Sequence, residues 1–150
     1  MNWTTLALLS ALFAGLTAIL AKLGVEEIPS NLATLIRTVV VAIFALGIVI
    51  AQGQFDELPR ISTRTWTFLV LSGLATGLSW LFYFAALKAG PVSGVAPIDK
   101  LSFVIAIILG LFFLGEKLSG LSLVGVCFIS TGVLLTLPGV QAFLKSHLFE

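Results

Sequence analysis

The chain has 150 residues, of which 59% are hydrophobic and only 10% are charged, and its formal net charge is +1. Soluble domains carry about 25% charged residues, and a domain of this length could not bury so much apolar surface in water. The composition therefore predicts an integral membrane protein whose length lies almost entirely in or beside the lipid bilayer. The near-neutral charge gives no electrostatic basis for nucleic acid as a partner. The single cysteine excludes an intrachain disulfide and a cysteine-based zinc site. This residue, Cys127, lies in an apolar stretch, and we interpret it as a small buried packing residue.

Five stretches are apolar enough to predict membrane-spanning helices, which need about 20 mostly apolar residues. In chain order they are Thr4–Leu20, Leu32–Ile50, Trp66–Leu87, Val92–Leu114 and Leu121–Leu137. Ser30 and Ser119 precede the second and fifth stretches and are typical N-cap residues. The first stretch lacks a basic segment before it, so we interpret it as a retained helix. Residues 1–138 are expected to form the membrane domain, and residues 139–150 a short tail at the membrane surface.

An odd number of spans places the two termini on opposite sides of the membrane, and the N-terminal side is called side A here. Basic residues near the membrane ends divide almost equally between side A, with Arg60, Arg64 and Lys117, and side B, with Lys22, Lys88 and Lys145. The positive-inside rule therefore barely selects an orientation. Either another feature fixes the orientation, or both orientations occur.

Polar and small residues follow one face of the third predicted helix, because residues three and four apart share a face. The polar residues of this stripe are Ser72, Thr76, Ser79 and Tyr83, and Gly73, Gly77 and Trp80 flank it. A pair of small residues four apart allows another helix to approach closely. The fifth helix has Gly125 and Gly132 seven residues apart, which predicts a packing seam without a polar stripe.

Asp99 and Lys100 lie inside the fourth apolar stretch, shortly after Pro97. A charge at the centre of a bilayer costs roughly 2.5–3.5 kcal/mol on insertion scales, and such residues usually have a function. Two structural alternatives stay open. Asp99 would cap a helix that begins after Pro97, or Lys100 would extend its ammonium group to the side-B headgroups.

Depth estimates at about 1.5 Å per residue bring three segments to one level. Measured from side B, Arg37 lies roughly 8–9 Å deep, Asp99 about 10 Å and Trp80 about 10–12 Å. We therefore predict a pocket among the first four helices that opens to side B. Arg37 and Asp99 are expected to form an ion pair or a water-bridged pair there, unless Arg37 is only a structural ion-pair partner. Trp80 and Tyr83 would wall the pocket and hold an apolar or cationic substrate, unless they are ordinary packing aromatics.

Residues typical of enzymatic sites are missing from the sequence. There is no Ser-His-Asp or Cys-His set, no phosphate-binding loop and no metal-ligating cluster, and the single histidine, His147, lies in the tail. The sequence therefore predicts that the chain is not an enzyme and holds no metal or cofactor.

The segment Tyr83–Thr136 resembles the end of an EamA domain, the repeat unit of the drug/metabolite transporter superfamily. The resemblance rests on Pro97, on the sequence Leu-Gly-Glu that ends at Glu116, and on the two glycines of the fifth helix. Arg37 near the start of the second helix is also typical of the family. The resemblance implies an inner-membrane transporter, often an exporter of small metabolites or drugs, that works by alternating access. Most similar proteins carry two such domains in inverted orientation, ten helices in all, whereas this chain is similar to the single-domain, five-helix group.

One departure concerns ion coupling, because the related four-helix multidrug exporters use a membrane-embedded glutamate in their first helix. The first helix here has no acidic residue, so Asp99 is the only well-placed candidate. Half of a ten-helix architecture also predicts a second copy in the opposite orientation, joined partly through the Gly125/Gly132 seam. A heterodimer with an inverted partner is the alternative assembly. A non-transport membrane subunit and a flippase for a lipid carrier are the alternative functions.

Overall fold

A computed structural model describes residues 2–148, and the described residues are helical with no strand. A 3₁₀ helix, Gln54–Arg60, interrupts the loop between the second and third α-helices. The α-helices in chain order are α1 Trp3–Val25, α2 Ser30–Ala51, α3 Thr63–Ala89, α4 Val92–Asp99, α5 Leu101–Phe113, α6 Gly120–Thr136 and α7 Pro138–Leu148. The structure confirms the predicted all-α fold.

Four helical stretches of the described chain are long and apolar enough to cross a membrane. They are Trp3–Val25, Ser30–Ala51, Thr63–Ala89 and Val92–Phe113, the last of which combines α4 and α5. A fifth crossing arises if α6 and α7, which meet at a bend of 82°, count as one span. These spans are those of a multi-pass integral membrane protein.

The chain divides into two compact units at the junction of Ala89 and Gly90. In the N-terminal unit, α1, α2 and α3 pack together mainly at one end. The buried side chains lie at the C-terminal ends of α1 and α3 and at the start of α2: Ala18, Ala21, Val25, Ala33, Thr34, Phe84 and Leu87. Small residues in α1 and α2 allow the helices to approach closely at this end, which is side B in the predicted topology.

Two lysines join the helices of the N-terminal unit. Lys22 Nζ donates a hydrogen bond to the Leu87 carbonyl oxygen at 2.9 Å, and Lys88 Nζ donates to the Ile28 carbonyl oxygen at 2.5 Å. The last carbonyls of a helix have no intrahelical partner, and a cation beside them is favourable. Because the Lys22 ammonium group is satisfied in this way, α1 continues past its predicted end at Leu20 to Val25.

The fourth predicted helix is not continuous. It breaks at Lys100, whose amide donates to the Pro97 carbonyl at 3.0 Å, and the Phe103 amide donates to the Lys100 carbonyl at 3.2 Å. Both bonds span three residues and so tighten the chain locally. Pro97 supplies no amide hydrogen of its own, so the carbonyl of Ser93 loses its usual helical donor within α4.

A tight turn ends α5 and brings a carboxylate back onto the helix. Gly115 has a φ of +65°, a conformation that favours glycine. The Glu116 amide then donates to the Gly110 carbonyl at 3.2 Å. A Cβ added at Gly110 would lie 2.8 Å from Glu116 Oε2, so the side chain of Glu116 packs against the bare glycine. This geometry gives the Leu-Gly-Glu sequence a structural explanation.

The two predicted serine caps have different outcomes. Ser119 caps α6, because its Oγ accepts a hydrogen bond from the Ser122 amide at 3.1 Å, as predicted. The Ser30 cap is wrong: Pro29 occupies the N-cap position of α2, and no side chain caps the helix there. Proline fixes its own φ near the helical range and ends the preceding loop, so the helix starts without a side-chain cap.

The tail is a helix that leaves α6 at a sharp angle. Pro138 begins α7, and the two helices are bent by 82°. Gln141 Nε2 donates to the Leu135 carbonyl at 3.0 Å, which satisfies one acceptor at the end of α6. A sharp change of direction at proline follows from its missing amide hydrogen.

Candidate functional site

Arg37 forms the centre of an aromatic cluster in the N-terminal unit. Its Cζ lies 4.1 Å from the centroid of the Trp80 ring and 5.5 Å from that of Phe84. The arginine comes from α2 and both aromatic residues come from α3, one turn apart. A guanidinium over an aromatic face is stabilised by about 0.5–2 kcal/mol, and most where water is excluded. The cluster therefore holds the guanidinium beside two aromatic rings at the packed end of this unit.

A cleft of about 330 Å³ adjoins this cluster, within the size range of small-molecule sites. Residues from α1, from the loop after it, from α2 and from α3 line it: Thr17, Leu20, Ala21, Gly24, Ile28, Ala33, Ile36, Arg37 and Phe84. Only Thr17 and Arg37 among them have polar side chains. The cleft is thus an apolar surface that carries one positive charge.

The lysines near this end of the unit already have partners. Besides its bond to the Leu87 carbonyl, Lys22 lies 3.9 Å from Glu26, and Lys88 donates to the Ile28 carbonyl. In contrast, no carboxylate among described residues 2–89 lies within 4.0 Å of Arg37. Within this unit, the guanidinium is held by rings rather than neutralised by an acid.

The charged pair of the C-terminal unit lies at the break between α4 and α5. Lys100 Nζ is 3.5 Å from Asp99 Oδ2, and the side chains are 58% and 34% exposed, respectively. Asp99 is the last residue of α4, and Lys100 occupies the N-cap position of α5 without a side-chain cap bond. The capping interpretation of Asp99 is therefore wrong. The pairing of Arg37 with Asp99 stays a prediction.

Comparison with known proteins assigns the family. Residues 1–137 match the EamA-like transporter family. The chain belongs to this family. It is also 56% identical over 134 residues to a protein of Sinorhizobium sp. described as "Uncharacterized transporter in cobO 3'region", an alignment covering 89% of this chain and 95% of that protein. No solved structure gives a significant match.

The family and this relative indicate that the EamA-like chain is a membrane transporter rather than an enzyme. The apolar helices agree with a multi-pass membrane protein. Among the described residues, no group of three or more His, Cys, Asp or Glu could hold a metal ion.

The polar stripe of the EamA-like chain lies on an accessible part of α3. Ser72, Thr76 and Ser79 are exposed, and Trp80 and Tyr83 are half-buried. The Thr76 hydroxyl donates to the Ser72 carbonyl of its own helix at 2.9 Å, which leaves the hydroxyl oxygen able to accept another bond. Whether these residues contact a substrate stays a prediction.

The predicted glycine seams face open space in the described chain. A Cβ added at Gly73, Gly77, Gly125 or Gly132 would meet no atom within 4 Å. The sequence also favoured burial of Cys127, and that prediction is wrong because Cys127 is exposed on α6. A helix that borders lipid or another protein can expose an apolar thiol without cost, so hydrophobicity alone does not reveal burial in a membrane protein.

Sequence reasoning missed Phe84, which lines the cleft, and the lysine hydrogen bonds at the packed end of the N-terminal unit. Phe84 lies one turn from Trp80 on α3, at a spacing that places both on one face. The sequence spacing alone therefore could have indicated that both rings lie beside the same neighbour. The two long-range lysine bonds, one to α3 and one to the loop between α1 and α2, also had a signal, since Lys22 and Lys88 lie in the last turns of α1 and α3, where lysines often bond carbonyls. The cleft itself depends on how α1 packs beside α2, which no local pattern specifies.

Proposed function

We propose that the chain is a subunit of a secondary transporter that moves a small metabolite or drug-like molecule, in the export direction, across the inner membrane. The observation that carries this proposal is the half-buried Arg37 beside an apolar cleft in a membrane-spanning bundle. An ionisable residue inside a membrane segment costs free energy and usually marks a substrate or ion pathway. The membership of the chain in a transporter family supports the same conclusion.

The working assembly in this proposal is a pair of copies in opposite orientations. Secondary transporters of this kind use two inverted repeats that rock against each other around a site near the membrane midplane, and this chain supplies one repeat. In each of the four long spans, only 6–11% of the most apolar 18-residue segment is buried inside the chain. The open glycines of α6, Gly125 and Gly132, would let a second copy pack closely.

Asp99 and Lys100 are the residues we propose for ion coupling and substrate contact in the C-terminal unit. They lie at a helix break, and interrupted helices in transporters often form substrate and ion sites. The Asp99 carboxylate accepts a hydrogen bond from the neighbouring Lys100, so an arriving substrate anion would compete with this carboxylate for Lys100.

The test of transport is flux in proteoliposomes that contain the purified full-length chain. A panel of organic anions, cations and neutral compounds is loaded inside, and counterflow of each labelled compound is compared with protein-free liposomes. Saturable counterflow of at least one compound supports transport. Normal reconstitution without flux of any compound would favour a membrane subunit, and flux of lipid carriers alone would favour a flippase.

The test of assembly is topology in intact cells. A C-terminal tag is probed for accessibility from each side of the membrane. Equal labelling from both sides supports the antiparallel homodimer. Labelling from one side only contradicts it and leaves a heterodimer or a parallel assembly.

A further inference from the structure

The charge of the cleft beside Arg37 restricts the kind of molecule that fits it. Its wall is apolar apart from Thr17 and Arg37. Arginine keeps its charge in proteins and offers planar N–H donors that match carboxylate and phosphate oxygens. A ligand that fills the cleft therefore meets one fixed cation and a hydrophobic surface.

Arg37 contacts aromatic rings, and no carboxylate among described residues 2–89 lies within 4.0 Å of it. Its Cζ lies 4.1 Å from the centroid of the Trp80 ring and 5.5 Å from that of Phe84, and Arg37 also interacts electrostatically with Tyr83. Aromatic rings attract a guanidinium but do not neutralise its charge. Arg37 therefore keeps a positive charge with which an oxyanion can pair.

The same geometry disfavours a cationic ligand. The Trp80 face is the surface that would attract a ligand cation, and Arg37 already covers it. Nearby, Lys22 lies 3.9 Å from Glu26, and neither Lys22 nor Lys88 lines the cleft, so Arg37 is the charged side chain of the cleft wall. A second cation would enter a site where the nearest fixed charge repels it.

We infer that the cleft binds an organic anion with a small apolar body, whose carboxylate or phosphate contacts Arg37 and whose apolar part lies along α1 and α2. This inference rests on the proposed function as far as it names the substrate class, although binding can be measured without transport. The volume of about 330 Å³ is at the lower end for small-molecule sites, which favours a compact molecule. The same chemistry could come from a water-soluble metabolite or from the headgroup of an anionic lipid.

The test uses three probes of similar shape and different charge: phenylacetate, 2-phenylethanol and phenethylammonium. The full-length protein, with Trp3→Phe and Trp66→Phe, is placed in nanodiscs of zwitterionic lipid so that fluorescence reports on Trp80 alone. Phenylacetate is expected to change Trp80 emission saturably, and the neutral and cationic probes to bind at least about 10-fold more weakly. Equal or tighter binding of phenethylammonium would overturn the inference.

Variants assign the effect to Arg37. Arg37→Gln is expected to weaken phenylacetate binding about 10- to 100-fold, and Arg37→Lys to weaken it less, because the charge remains while the planar donors are lost. Arg64→Gln is the matched control, since Arg64 also lies over a ring, Phe68 at 5.9 Å. Unchanged binding in Arg37→Gln would overturn the inference. If Arg37→Gln does not fold, the order of the three probes in the parent protein decides.

Two further arms separate the rival explanations. The first arm uses nanodiscs that contain phosphatidic acid, an anionic lipid. If this lipid abolishes phenylacetate binding and itself changes Trp80 emission in a way that depends on Arg37, the site binds an anion and that anion is a lipid headgroup. Phenylacetate binding that appears only in Asp99→Asn would overturn the inference, because Arg37 would then serve as a structural ion-pair partner. Arg37-dependent binding without counterflow would refute the proposed transport but leave the anion site intact. Counterflow of cations that Arg37→Gln does not change would refute the anion site but leave the proposed transport intact.

Discussion

The two units of the chain satisfy their polar groups in opposite ways. In the N-terminal unit, Lys22 and Lys88 bond carbonyls of residues 65 and 60 positions away along the chain. In the described part of the C-terminal unit, side-chain hydrogen bonds reach at most six residues, from Gln141 to Leu135. The first unit therefore holds its own helices together with long cationic side chains, whereas the described part of the second keeps its charged pair local.

This difference bears on which unit can hold a site in a fixed geometry. A unit that is locked by its own lysines can hold Arg37 and its aromatic rings in a fixed geometry, which a binding site needs. A unit whose charges pair only with chain neighbours can change its surroundings without breaking distant bonds. Such a unit suits the moving or coupling part of a transport cycle.

The largest expected effect comes from Asp99→Asn, which tests whether the charged pair of the C-terminal unit takes part in transport. Removal of the carboxylate that binds Lys100 at 3.5 Å is expected to lower counterflow of the compound found in the proteoliposome screen by roughly 10- to 100-fold. Membrane insertion should stay normal. Asp56→Asn, in the 3₁₀ helix between α2 and α3, is the matched control. Full activity of Asp99→Asn at all pH values would contradict a role in coupling.

Lys22→Met tests whether the N-terminal unit depends on its interhelical lysines. Methionine keeps the apolar stem but cannot donate to the Leu87 carbonyl, so the free energy of unfolding is expected to fall by about 1–2 kcal/mol. Denaturant titration of the protein in detergent micelles measures the change. Lys117→Met, in the loop after α5, should change it by less than about 0.5 kcal/mol. Equal losses in both variants would mean that the bond contributes nothing specific.

Gly132→Leu tests whether a second copy of the chain packs on α6 of the C-terminal unit. No atom of the described chain lies within 4 Å of a Cβ at this position, so the fold of one copy should tolerate leucine. If a second copy packs there, self-association in bilayers is expected to weaken about 5-fold or more, since small residues permit close helix contact. Energy transfer between labelled copies measures this. Gly15→Leu, which is equally open in α1, should leave association unchanged.

The smallest expected effect is that of Gly110→Ala. The new Cβ would lie 2.8 Å from Glu116 Oε2, and the flexible glutamate can move aside, while alanine favours the helix by about 0.5–1 kcal/mol. The two contributions oppose each other, so stability should change by less than about 1 kcal/mol. In a Glu116→Ala background, the same substitution should be clearly stabilising. An identical change in both backgrounds would show that the two residues do not interact.

The fold was largely predictable because helices that cross a bilayer are long and apolar, and polar residues separate them along the sequence. At the end of α1, the predicted limit differs from the structure because a polar residue has a partner outside its own helix. Lys22 appeared to close the first helix, but its bond to the Leu87 carbonyl lets α1 continue to Val25. The sequence left open a helix that begins after Pro97, and the structure places the break at Lys100. Apolar composition continues through this position, so composition alone does not locate the break.

The candidate site was predictable in part. Depth along each helix follows from residue counting, and it placed Arg37 and Trp80 at similar levels, where the structure brings them together. Rotation about the helix axis and the distance between helices do not follow from counting. For that reason the stacking of Arg37 on two rings, and the contribution of α1 to the cleft, emerged only from the packed helices.

Cys127 makes the chain a ready subject for spectroscopy. It is the sole cysteine of the sequence, it is exposed, and it lies near the middle of α6, which runs over Gly120–Thr136. A spin label at mid-helix sits at nearly the same depth whichever way a copy points. The distance between two such labels would therefore report how close the α6 helices come, independently of their polarity, and would complement a tag that reports polarity alone.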